Sequence, residues 1–127
     1  MNYLTWEQYS SLYSNVKEEN FKALESVAEI KINSITHLQV YSFVQNYNPE
    51  TATPFDKQRM AQIVHTTANL LNKIVEFDKN NVGSGIASVS NEGYSVSLNI
   101  INESGLQNEL VSIVRNGLMG TGLLGVI

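Results

Sequence analysis

At 127 residues, with a formal charge of −4 and no cysteine, the chain is one domain by size, able to bury roughly two-thirds of its unfolded surface without covalent staples. The absent thiols exclude disulfides, zinc–thiolate sites and thiol nucleophiles, and make a reducing compartment the default expectation. Eight basic residues are scattered among twelve acidic ones with no basic stripe, which argues against a dedicated DNA-binding module, since phosphate-backbone affinity needs clustered cations.

The stretch from Met1 to Glu7 has neither a basic flank nor an apolar run, so no secretory signal is expected. Thr5 with Gln8 three residues on forms a capping-box pattern, and Leu4 is placed to staple against Tyr9. Tyr9, Leu12, Tyr13 and Val16 then repeat at helical spacing. A second helix is predicted from about Glu19 to Thr36, with Phe21, Leu24, Ala28, Ile32 and Ile35 on one stripe that Val27 and Ile30 widen. Glu18 and Lys22 form a favourable pair beside it. A helix this apolar around its circumference belongs at the centre of a bundle or against a neighbour. Between Leu38 and Thr53 the pattern fails. Val40, Tyr41, Phe43 and Val44 favour extended structure, Asn46, Asn48 and Pro49 favour a loop, and the segment reads as irregular.

Thr53 and Pro54, a cap followed by proline at the first helical position, open a third helix expected to run to about Phe77. Met60, Ile63, Val64, Thr67, Leu71 and Ile74 match the amphipathic template at every step. Asn80, Asn81, Gly83, Ser84 and Gly85 read as a flexible approach to the next element. Between Ile86 and Ile100 an alternating pattern appears: Tyr94, Val96, Leu98 and Ile100 alternate strictly with Ser95, Ser97 and Asn99, and upstream Ala87 and Val89 alternate with Ser88 and Ser90. A loop centred on Glu92-Gly93 places Val89 opposite Val96 and Ala87 opposite Leu98, so a β-hairpin with one wet face is expected. Asn102-Glu103-Ser104 is a glycosylation sequon in form only. Ser104 with Gln107 repeats the capping-box signature for a fourth helix, with Leu106, Leu110, Ile113 and Val114 facing the core until Gly117 stops it.

Four of the eight glycines, Gly117, Gly120, Gly122 and Gly125, fall in the last eleven residues among Leu118, Met119, Leu123, Leu124, Val126 and Ile127. That density does not sustain a helix, and the run is much shorter than the ~20 apolar residues of a membrane span. An extended apolar tail is therefore expected, either folded back on its own core or buried in another chain. Gly120-Thr121-Gly122-Leu123-Leu124-Gly125 matches G-x-G-x-x-G in letters only, because that fingerprint works between a strand and a helix, and here a helical pattern precedes it.

No reaction centre assembles from these residues. His37 and His65 lack partners at metal-ligand spacing and read as ordinary surface or loop histidines. Glu25 and Glu29 share a helical face, but no Glu-x-x-His accompanies them, and they read as part of the polar side of the second helix. Lys57 and Arg59 read as a solvated helix face. Tyr3, Trp6, Tyr9 and Tyr13 cluster without interleaved cations, which favours packing over base stacking. No serine sits in a G-x-S-x-G elbow, and Gly83-Ser84-Gly85 reads as linker.

The helix pair, loop, long helix, the segment from Ile86 to Ser97 with its Gly93-Tyr94-Ser95-Val96-Ser97 turn and strand, the final helix, and the Gly122-Leu123-Leu124-Gly125-Val126 close together resemble the head-tail connector (adaptor, head-completion) proteins of long-tailed bacteriophages and prophages. The resemblance spans nearly the whole chain and extends to Phe21, Leu24, Ala28, Ile32 and Thr36. It departs at Gly125, where a larger, often aromatic residue is expected. What it implies is a mainly α fold: a small bundle of about four helices, one β-hairpin at about 86–100 before the last helix, and an extended C-terminal tail. The helical body would span 1–116 and the tail 117–127 of a single domain.

The implied function is structural, not enzymatic, and without a cofactor. The chain would form a homo-oligomeric ring, dodecameric, beneath the portal protein, and offer a docking surface to head-closure or tail-completion proteins. DNA would pass through its channel without sequence-specific binding. The setting would be the head–tail interface of the virion, or the bacterial host cytoplasm before assembly, with no membrane. Val89, Tyr94, Val96, Leu98, Leu118, Met119, Leu123, Leu124, Val126 and Ile127 are the expected subunit or partner interface. The alternative is a small cytoplasmic regulator that binds one protein through its apolar tail. A small hydrolase would need a concave polar pocket that these residues do not assemble.

Overall fold

A computed structural model of the chain describes residues 2–80 and 104–124. Five helices follow one another in the described residues: α1 (Trp6–Leu12), α2 (Glu18–Ile35), α3 (Gln39–Asn46), α4 (Pro54–Asn80) and α5 (Ser104–Gly117). The capping box that opens α1 forms as the sequence predicts, with Gln8 N–H donating to Thr5 Oγ1 at 3.1 Å and Thr5 N–H to Gln8 Oε1 at 2.8 Å. The helix is shorter than its apolar spacing suggests. Tyr13 turns extended at φ −139°, yet its side chain stays half-buried and Val16 is buried, so the pattern outlasts the helix.

Thr53 caps α4 as expected, accepting Asp56 N–H at 3.1 Å. At 27 residues, α4 spans about 40 Å and serves as the spine against which α1, α2 and α5 pack. The predicted face is the buried one: Ile63, Thr67, Leu71 and Ile74 are sealed from solvent, with Met60 and Val64 packed beside them. From α5, Leu106, Leu110 and Val114 enter the same core. α2 is central, touching α1, α3, α4 and α5 and burying Phe21, Val27, Ala28 and Ile32. α1 and the segment that follows it are tied to α4 by hydrogen bonds as well as by packing. Tyr9 Oη donates to Asn72 Oδ1 at 3.3 Å, Asn15 Nδ2 to the same oxygen at 2.6 Å, and Tyr13 Oη to Asn69 Oδ1 at 2.6 Å. Burial pushes the Tyr9 phenol up to about 12. The N-terminal aromatics pack together as predicted, with Trp6 edge-on to Phe21 at 5.6 Å and Tyr9 tilted against Tyr13 at 5.6 Å.

The expected fold class is corrected in three places. First, the described residues are mainly helical, with five helices where about four are expected, and contain no strand; the hairpin assigned to 86–100 lies outside them. Second, the segment read as irregular contains α3. Its β-branched and aromatic residues disfavour a helix by local preference, but Val40 is fully buried and Phe43 and Val44 pack on the core, and tertiary burial overrides propensity. The preceding His37 and Leu38, at φ 53° and 66°, turn the chain out of α2 so that α3 can begin. Third, the tail is not extended through 124. Gly120 and Gly122 adopt φ of 85° and 74°, which only glycine adopts at no steric cost, and the chain reverses on them. Thr121 Oγ1 donates to Leu118 O at 2.6 Å and accepts Leu123 N–H at 3.1 Å. Leu118 and Leu123 thereby join the chain's own core.

Candidate interaction surface

Of the residues expected to form an interface, Val89, Tyr94, Val96, Leu98, Val126 and Ile127 lie outside the described residues. The other four separate. Leu118 is fully buried, Leu123 is buried and Leu124 is half-buried against the core, whereas Met119 is 66% exposed. The backbone at this turn is held by α4: Gln62 Nε2 donates to Gly117 O at 3.0 Å and to Met119 O at 3.2 Å. These two bonds satisfy carbonyls that a helix C-terminus otherwise leaves without partners.

The first turns of α4 present a second group, one that by sequence alone reads as a solvated face. Arg59 is not simply solvated. Its guanidinium carbon lies 4.4 Å from the ring centroid of Phe55 and 5.4 Å from that of Phe43, cation–π contacts that hold the head group over the two rings. Its Nη1 meets Asp56 Oδ1 only at 3.4 Å, and its buried Nε has no hydrogen-bond partner. Phe55 remains 54% exposed. In front of Arg59 opens a cleft of about 460 Å³, lined by Gln39, Ser42 and Asn46 of α3, by the Asn48–Ala52 turn and by Gly122 and Leu123. Asn48 Oδ1 accepts Glu50 N–H at 2.9 Å and so shapes that turn. The arrangement offers a fixed cation, exposed apolar residues and several amides on rigid elements, which suits recognition of a protein surface and supplies no acid–base or nucleophilic constellation.

A second cluster overturns the reading of Glu25 and Glu29. Glu25 is 2% exposed and lies in the line of Phe21, Ala28 and Ile32, the apolar stripe itself. Tyr3 N–H donates to Glu25 Oε2 at 3.0 Å and to Glu29 Oε2 at 3.2 Å, and Tyr3 Oη donates to Asn33 Oδ1. The N-terminal segment thus runs along α2 with Tyr3 and Leu4 buried. Burial, followed by the hydrogen bond and the like charge of Glu29, pushes the Glu25 carboxyl up to about 9, against the smaller pull of the Tyr3 and Leu4 N–H groups. Burial likewise holds the Tyr3 phenol above its ordinary range and the Lys31 ammonium below its own. The sequence does carry a signal for Glu25, a carboxylate interrupting an apolar line at i, i+4, i+7 and i+11.

His37 and His65 are both exposed, and no group of three His, Asp or Glu residues capable of holding a metal occurs among the described residues. No described helix is long and apolar enough to cross a membrane. No protein-family model, curated protein or solved structure matches the chain. The functional reading therefore rests on its residue pattern and on this surface.

Proposed function

We propose that the chain is a structural subunit of a head-tail connector, assembling into a ring beneath a phage portal and presenting a docking face to head-closure or tail proteins. The resemblance at Gly93–Ser97, at Gly122–Val126 and along α2 motivates the reading. The observation that carries it is the set of Phe55, Arg59 and Met119, which stand exposed or half-exposed on ordered elements, with an amide-lined cleft in front of Arg59. A heterologous ring buries two different faces of each copy, and exposed aromatic, methionine and arginine residues are the types enriched where such faces meet. Leu118 and Leu123 serve the chain's own core, so docking falls to Met119 and Phe55 in place of the whole tail. An acidic balance of −4 favours passage of DNA without retention.

Purified protein, alone and mixed with portal assemblies, tests this by negative-stain electron microscopy and analytical ultracentrifugation. Rings of uniform diameter that stack on portals are expected. Combining Phe55→Ser with Met119→Ser should abolish them while leaving the helical circular-dichroism signal intact, because an exposed site such as Met119 shifts stability by about 0.5 kcal/mol and loss of the Phe55 ring from Arg59 by about 0.5–1 kcal/mol. A discrete monomer that ignores portals at high concentration sinks the proposal.

A further inference from the structure

Tyr3 and Leu4 are sealed against α2, yet the polar contact that holds them brings two carboxylates to the Tyr3 N–H, with only the weaker pull of the Leu4 N–H beside it, an arrangement that burial turns against two full charges. Both oxygens lie within hydrogen-bond distance of the same Tyr3 nitrogen, at 3.0 and 3.2 Å, and Glu25 is almost wholly removed from water. No lysine or arginine among the described residues makes an ion pair with either carboxylate. Among the described residues the charged group that acts on Glu25 is Glu29; the Tyr3 phenol feels both carboxylates and Tyr41 of α3, and Glu76 of α4 acts on Tyr9. Neither phenol supplies a positive charge. The charge that relieves the pair is a proton.

We propose that the N-terminal segment is a latch locked by a proton held between Glu25 and Glu29, and that lifting the segment from α2 releases that proton to solvent. In the closed state burial and the neighbouring carboxylate hold the Glu25 proton up to about 9. In the open state the Glu25 carboxyl meets water and returns to the ordinary range. Between about pH 4.5 and about 9 each opening therefore releases one proton, and by linkage the opening equilibrium rises about tenfold per pH unit across that window. The slope passes through neutrality, so pH 6 and pH 8 differ by about a hundredfold in how often Tyr3 and Leu4 are exposed. This property belongs to the chain itself and stands whether or not the protein forms rings.

Hydrogen exchange at the Tyr3 and Leu4 amides, measured by NMR from pH 5 to pH 8 and corrected for base-catalysed intrinsic exchange, reads the opening equilibrium directly. Protection should fall by about a factor of ten per unit in the native chain. In Glu25→Gln, whose amide keeps the neutral hydrogen-bonding shape, protection should not vary with pH. The fluorescence of Trp6, the single tryptophan, three residues from Tyr3, gives a second readout and should change with pH in the native chain only. Glu29→Gln, which leaves Glu25 buried but removes its charged neighbour, should keep a slope over a narrower window. Protection that is flat with pH in the native chain, or equally steep in Glu25→Gln, overturns the proposal.

Discussion

The contact between α5 and α4 at Gly117 offers the sharpest test of the packing. Gly117 is helical, and its φ is not in the left-handed region, so alanine is compatible with the backbone there and would by helical preference alone stabilise by up to about 1 kcal/mol. The structure opposes that gain. A Cβ at this position would overlap Thr66 Oγ1 and come within 3.0 Å of Thr66 Cβ and 3.1 Å of its Cγ2. Thr66 is buried on α4, and even with its hydroxyl turned away its Cβ stays closer than ordinary van der Waals contact. Overpacking of this kind costs about 1–3 kcal/mol, and set against the helical gain the balance is a net loss of up to about 2 kcal/mol for Gly117→Ala. With a urea slope of about 2 kcal/mol/M, the middle of the usual range, the unfolding midpoint followed by circular dichroism should fall by up to about 1 M. Thr66→Ala removes the overlapping hydroxyl, which is buried without a partner, and the methyl, leaving only the Cβ. In that background Gly117→Ala should lose most of its penalty, a coupling of about 1 kcal/mol or more. If Gly117→Ala stabilises the chain, or if the two changes simply add, the helices do not approach each other as described.

Leu118→Ala should destabilise by about 2–5 kcal/mol, as for a fully buried leucine, and truncation after Gly117 should lower the unfolding midpoint at least as far; an unchanged midpoint would return the tail to the surface. Gln62→Ala should cost about 1–2 kcal/mol in the same urea assay through loss of the bonds to Gly117 O and Met119 O. Arg59→Lys keeps the charge but loses the planar stack between Phe43 and Phe55, and thermal melts should show a loss of about 0.5–1 kcal/mol. Because the Glu25 carboxyl is raised from 4.5 to about 9, the folded state holds a proton that the unfolded chain has lost. Its stabilising effect is complete below about pH 4.5 and falls by about 1.4 kcal/mol per unit as pH rises towards 9; denaturant melts of Glu25→Gln should lack this component.

The features legible in the sequence are those set by local rules. The capping box at Thr5, the Thr53-Pro54 start and the spacing of Ile63, Leu71 and Ile74 depend on neighbours within a few turns, and each stands where expected. The features hidden from the sequence depend on distant partners. α3 escapes a local reading because Val40 acquires its helical state from burial, against its own preference. Glu25 reads as polar-sided because the groups that bury and bind it, Tyr3 and Leu4, lie more than twenty residues upstream. Arg59 looks solvated because Phe43, one of its two stacking rings, belongs to the helix that local preference does not foresee. The tail glycines read as unable to sustain a helix and leave two burial sites open, the chain's own core or another chain; Gly120 and Gly122 supply the left-handed turns that return Leu123 to its own core.

Leu123 has a double position: it seals the core and, with Gly122, forms one wall of the Arg59 cleft. Occupancy of the cleft and seating of the C-terminal turn are thereby reciprocal equilibria. By whatever factor the seated turn improves binding, a bound partner multiplies the seated population by the same factor. Assembly at this end would act as the final step of the subunit's own folding, and a chain with a frayed C-terminus would be a poor competitor for a place in any assembly built there.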